Sequence, residues 1–183
     1  MLRLILMRHA KSTWDDPHCS DFSRGLNERG RTAAPLMAQH MVEELGVEPD
    51  RVLCSTARRT RETLAACLPF WSKEQSLRML DDIYHSSEMN YIDLIRSHGG
   101  GVPTLMVLGH NPAIQITALK LIEQGSSTMI RAIETKYPTA AVTVLEFRED
   151  AWQNVHPAKG YLSSFTRPRD LGSPEHERLL ALA

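Results

Sequence analysis

The chain has few cysteines, only Cys19, Cys54 and Cys67 in 183 residues. Their odd number and irregular spacing argue against a disulfide framework or a CxxC redox motif. Cys54 lies in an apolar strand pattern and reads as a buried thiol. No Cys/His cluster has metal-ligand spacing. Long hydrophobic runs are missing as well. Nothing approaches the ~20 apolar residues that span a bilayer, and the apolar start at Leu2 is too short and interrupted for a secretory signal. The chain is therefore expected to be cytoplasmic, without a membrane partner. Charge of one sign is not in excess: 21 Lys and Arg face 22 Asp and Glu, a formal net charge of −1. No nucleic-acid surface is expected, which leaves room for a local basic pocket. Repeats and low-complexity segments are absent.

What remains is an ordinary composition, long enough for one domain spanning 1–183 with a sizeable core. A polar, Pro-containing tail is expected from about residue 167, with a weak helical patch near Leu179. Strand and helix signals alternate, which points to an α/β fold in three layers: a mostly parallel central sheet with helices on both faces. Strands are expected at 2–7, 51–55, 77–80, 104–108, 140–147 and 161–165. A long polar loop covers 10–25. Asn27 caps a helix with Glu28 in its first turn, running to about Leu45 and closed by Gly46; Pro35 is expected to kink or split it. Further helices are expected over 57–68, 90–98 and from Pro112 to about Gln124.

Three strand ends carry chemistry. The first gives Arg8-His9, the second a Ser/Arg-rich turn from Ser55 into a helix, and the third Gly109-His110. In α/β sheets, ligands bind outside the carboxyl ends of the strands. If these strands are neighbours, two arginines and two histidines share one crevice. Phosphoryl transfer needs this set: positive charge around the equatorial oxygens, supplied by planar guanidinium forks. It also needs a nucleophile, and an imidazole with a pKa of ~6.5 is largely unprotonated at pH 7. A second histidine, protonated by the phosphate's field, can donate to the transition state, beside the helix start after Pro112.

These residues resemble the histidine phosphatase superfamily, also called phosphoglycerate mutase-like, and within it the SixA-like phosphohistidine phosphatase branch. The Arg-His-Gly signature reads Arg8-His9-Ala10, followed by Lys11-Ser12-Thr13-Trp14. The Asp-x-x-Arg-x-Leu-x-x-x-Gly element reads Asp21, Arg24, Leu26 and Gly30. Ser55, Arg59 and Thr63 form the Ser-x-x-x-Arg-x-x-x-Thr element, and Gly109-His110 the late Gly-His. The resemblance implies that His9 forms a phosphohistidine intermediate, that Arg8 and Arg59 bind phosphoryl oxygens, and that His110 stabilises the transferring group. It places Lys11 and Ser12 near the ligand and implies no metal and no organic cofactor; Arg24 is expected either to clamp phosphate or to pair with Asp21.

The sequence departs from the pattern at Ala10, where no positive φ is then required, and at Asp15, which stands where mutase-type members carry an asparagine. A carboxylate there repels phosphate and weakens a mutase reading. A general acid is expected only near Asp81 and Asp82, with Asp82 the candidate. A phosphohistidine substrate needs such an acid less, because imidazole leaves more readily than an alkoxide. Fewer than 50 residues separate Ser55 from Thr104, too few for a large lid, so an open, shallow pocket is expected. The expected partner is a phosphorylated protein or a small phosphorylated compound. The alternatives are a phosphomonoester hydrolase or mutase and a silent phospho-binding module. His85 follows the acid segment; Trp14, Trp71 and Trp152 read as packing residues.

Overall fold

The computed structural model describes residues 1–14 and 17–172. Asp15 and the patch near Leu179 lie outside the described residues. The strands are β1 (Leu2–Arg8), β2 (Arg51–Ser55), β3 (Ser76–Leu80), β4 (Thr104–Gly109), β5 (Ile122–Gly125), β6 (Val142–Phe147) and β7 (Gly160–Thr166). The helices are α1 (Glu28–Glu43), α2 (Arg58–Cys67), α3 (Asp81–His85), α4 (Ile92–His98), α5 (Ala113–Leu121) and α6 (Ser127–Thr135).

The strands form one sheet in the order β3-β2-β4-β1-β6-β7-β5. β1 pairs parallel with β4 and antiparallel with β6, and β6 alone runs against the rest. The sheet separates two apolar cores. Leu4 and Leu6 point into one, with side chains of α4, α5 and α6; Ile5 and Met7 point into the other, with α1 and α2. This alternation of successive side chains gives the three-layer α/β architecture of the phosphoglycerate mutase-like fold. All six β4 residues are buried, as a strand covered on both faces requires.

Several local expectations are revised. Pro35 neither splits α1 nor ends it; the helix runs unbroken for 16 residues, its buried stripe of Ala34, Met37, Ala38 and Met41 held against the sheet on both sides of the proline. The helix closes through Gly46 at φ 60°, with Leu45 N–H donating to His40 O and Val47 N–H to Met41 O. The helix expected to reach Gln124 stops at Leu121. Residues 122–125 instead pair with β7, and the unforeseen α6 follows. At Gly125 a Cβ would lie 2.7 Å from that of Leu162; the close approach of β5 to β7 needs a glycine. The chain expected to be tail from about 167 is built into the fold as far as Leu171. Arg167 and Asp170 close a short 3-10 turn, and Leu171 packs on the α1 side. Cys54 and Cys67 are buried, and burial pushes both thiols up to about 12.

The loop after β1 is held between α1 and α2. Thr13 N–H donates to Gly25 O, Asn27 N–H to Lys11 O, and Ala10 N–H to Thr63 Oγ1 on α2. Gly30 lets α1 approach this loop, because a Cβ there would overlap the Lys11 carbonyl oxygen.

Candidate active site

β1, β2 and β4 are adjacent and parallel, so their carboxyl ends come together. Sheet pairing continues one residue past β1: His9 N–H donates to Gly109 O at 3.0 Å, and Ala140 N–H reaches both the Arg8 and His9 carbonyls at 3.1 Å. The His9 and His110 rings lie 5.2 Å apart between centroids.

His9 is buried, and its Nδ1 sits 2.8 Å from Ala10 O. A carbonyl only accepts, so Nδ1 carries the proton and Nε2 keeps its lone pair. Burial holds this imidazole well below its ordinary pKa, helped by His110 and the cations Arg59 and Arg8. His110 is fixed in the complementary tautomer. Its Nδ1 accepts from Arg59 Nη2 at 3.2 Å, so Nε2 carries the proton and donates to Ser55 Oγ at 2.8 Å. Burial first, then Arg59, bring its pKa down to about 3. Both rings are therefore neutral at pH 7 in this arrangement. Tyr91 Oη accepts the His110 amide at 3.2 Å and donates to Ile83 O at 3.0 Å, fixing the end of β4.

Arg59 donates from Nη1 to Asp21 O at 2.6 Å and from Nη2 to Asp21 Oδ2 at 3.0 Å. Arg8 donates from Nη1 to Tyr137 O at 2.8 Å. Each keeps a buried Nε–H with no acceptor. Buried donors seldom go unpaired, and an anion in the crevice would supply what these two lack. Arg24 resolves as a structural partner: Nε and Nη2 donate to Asp21 Oδ1, and Nη1 donates to Ser12 Oγ at 2.6 Å. Ser12 thus orients Arg24 from beneath the crevice and does not line it. Trp14 is not core packing. It is 70% exposed at the crevice mouth, its ring stacked 3.5 Å from the Arg24 guanidinium.

The crevice measures about 550 Å³ and is open at the rim. Among the described residues, Arg8, Arg24 and Arg59 line it against two carboxylates, Asp21 and Glu88. Burial alone would raise the Asp21 pKa; bonds from Arg24, Arg59 and Tyr84 outweigh it and hold it at about 2. Asp21 is an anchor for guanidiniums and a poor proton donor. The acid expected at Asp82 is elsewhere: Asp82 is exposed outside the crevice, and Asp81 accepts from Thr56 Oγ1. Lys11 also turns away, into a separate groove.

Sequence reasoning missed Tyr84 and Glu88 and underweighted Asp21. The i,i+3 spacing of Asp21 and Arg24 was the available signal for the last. Tyr84 donates to Asp21 Oδ2 at 3.0 Å and packs edge-on against His110, with ring centroids 5.6 Å apart; no local pattern announces it. His85 lines the same rim. Among the described residues no group of three or more His, Cys, Asp or Glu is placed to hold a metal ion, and no helix is long and apolar enough to cross a membrane.

A mostly parallel sheet whose adjoining strand ends present two neutral histidines among arginines fits a class, the phosphatases. The chain belongs to the histidine phosphatase superfamily (branch 1), whose sequence profile matches residues 4–84. It is similar to the structure of SixA from Agrobacterium tumefaciens, at 30% identity and a TM-score of 0.75, covering 91% of this chain and 97% of that one. An uncharacterized protein of Mycobacterium tuberculosis is 33% identical over 165 residues, 89% of this chain and 100% of the relative. The structure of the protein histidine phosphatase SixA complexed with tungstate shares the fold, with a TM-score of 0.69 at 21% identity over 93% of this chain and 99% of that one.

Proposed function

We propose that the protein hydrolyses phosphohistidine in a protein substrate, with His9 as the nucleophile. The observation that carries this reading is the locked His9 tautomer, which leaves Nε2 unprotonated in a crevice lined by two guanidiniums that each keep one unpaired buried Nε–H. Nε2 attacks phosphorus; the P–N bond to the substrate imidazole breaks, and that ring leaves carrying a proton drawn from solvent. Arg8 and Arg59 hold the equatorial oxygens. The incoming phosphate raises the proton affinity of His110, whose Nδ1 then donates to the transferring group. Water then attacks phosphorus; the P–N bond to His9 Nε2 breaks, inorganic phosphate leaves, and the water's proton passes to solvent. The absence of a well-placed acid at Asp82, and an Asp21 held ionised, favour a leaving group that departs without strong protonation.

Glu88 on the crevice wall supports a second reading, hydrolysis of a phosphomonoester with Glu88 protonating the leaving oxygen. A panel of phosphohistidine peptides and small phosphomonoesters separates the two. Wild type is expected to favour phosphohistidine and to retain acid-labile phosphate after quenching, with both signals lost in His9→Ala. Arg59→Ala is expected to lower kcat/KM about 10²–10³-fold, and Glu88→Gln to leave phosphohistidine turnover unchanged. Fast ester turnover that Glu88→Gln abolishes, with phosphohistidine untouched, would establish the second reading. No labelling of wild type by any donor would indicate a silent binding module.

A further inference from the structure

A groove of about 650 Å³ lies beside the crevice, and the catalytic chemistry does not use it. Its floor and walls are apolar at Ala33, Leu36, Pro138 and Pro168. Leu36 is 42% exposed there, an uncovered leucine on the outer stripe of α1. Around this apolar strip stand Lys11, Arg29, Lys136 and Arg169. None of the first three makes a salt bridge among the described residues, and Arg169 comes only within 4.0 Å of Asp170. Arg167 is already paired with Asp170, and among the described residues Glu28 is the one carboxylate lining the groove.

Groove and crevice share their dividing wall. Lys11 is two residues beyond His9. Lys136 precedes Tyr137, whose carbonyl holds Arg8, and the Ala140 amide is bonded to the Arg8 and His9 carbonyls. Arg8 and His9 thus face the crevice, Lys11, Lys136, Pro138 and Thr139 face the groove, and the backbone between them joins the two. An occupant of the groove sits next to the phosphoryl site without entering it.

The chemistry of the groove selects among occupants. A phosphate group is held by convergent, buried donors; here Lys11, Arg29, Lys136 and Arg169 are exposed and spread along an apolar strip. That pattern fits an extended or helical segment with acidic side chains on its flanks and one or two apolar side chains at its centre. We infer that this groove docks an acidic, amphipathic segment of the protein substrate. The inference rests on the phosphohistidine reading in naming the partner as the substrate; the docking chemistry itself is tested apart from catalysis.

The probe is a short fluorescent peptide rich in Asp and Glu with two central leucines and no phosphate. Wild type is expected to bind it with salt-sensitive affinity. Arg29→Glu/Lys136→Glu is expected to weaken binding about tenfold or more, while turnover of small phosphoramidate stays at the wild-type rate, which also shows that the variant is folded. Orthovanadate in the crevice is expected not to displace the peptide. A second measurement compares phosphohistidine peptides with acidic and neutral flanks: a lower KM for the acidic one, lost in the double variant, links the groove to the substrate. Equal binding by wild type and double variant, displacement by orthovanadate, or full displacement by millimolar sulfate at constant ionic strength overturns the proposal. If the acidic peptide binds as expected and no phosphohistidine peptide is cleaved, docking stands and the functional reading falls.

Discussion

At the scale of single residues, the two imidazoles are held in opposite tautomers by fixed partners, Ala10 O for His9 and Ser55 Oγ for His110. The proposed mechanism has a consequence for pH. On that mechanism His9 must be unprotonated to attack, and its pKa is lowered by burial. The acid limb of kcat/KM is therefore expected well below pH 6.5, with activity flat from pH 7 to 6; a limb centred at pH 6.5 or above would show that His9 titrates as an exposed imidazole. Which residues were legible follows from how each is placed. Arg8, His9, Arg59 and His110 occupy strand ends or the first turn of a helix, positions that a periodic pattern marks. Lys11 and Asp82 sit in the same stretches of chain and face elsewhere, because the direction of a side chain beyond a strand end is set by tertiary contacts. Tyr84 and Glu88 reach the crevice from around α3, a five-residue helix with no sequence signal of its own.

At the scale of elements, α1 couples the loop after β1 to the sheet. Glycine within a helix normally costs about 1 kcal/mol relative to alanine, so Gly30→Ala would stabilise an isolated α1. Here the added methyl meets the Lys11 carbonyl, a backbone atom that cannot swing aside. The clash is expected to win: a net loss of about 1–3 kcal/mol in urea denaturation, with kcat reduced because the displaced carbonyl is two residues from His9. A neutral or stabilising substitution would mean that the loop yields freely. The same level shows where pattern reading failed. Pro35 is a helix breaker locally, yet the buried stripe on both sides of it keeps α1 whole. Ile122–Gly125 looked like the end of a helix because its apolar start continues the α5 pattern; pairing with β7 decided otherwise.

At the scale of the whole molecule, the fold class was readable from the alternation of strand and helix signals. The strand order was not, since no local feature states that β4 lies between β1 and β2. The buried histidines also affect global stability. Unfolded, each takes up a proton near pH 6.5; folded, His110 does so only near pH 3 and His9 well below its ordinary value. The unfolded state binds more protons across that window, so stability rises with pH through it and falls on acidification. Between pH 7 and pH 5 the loss from His110 is expected to be roughly 2 kcal/mol, and His9 adds to it in the same direction. Urea midpoints at the two pH values measure it, and His110→Gln should remove the His110 share of the difference. An unchanged midpoint would mean that the two rings are solvated.

The pairing that runs past the end of β1 bears on how the proposed nucleophile is held. The His9 amide proton is tied to Gly109 O, and β1 has partner strands on both sides in the seven-stranded sheet. Its exchange with solvent is expected to need openings larger than local fraying. On the proposed mechanism the ring would gain and lose a phosphoryl group in each cycle on a backbone expected to stay still, so that the motion of turnover falls to side chains and the rim.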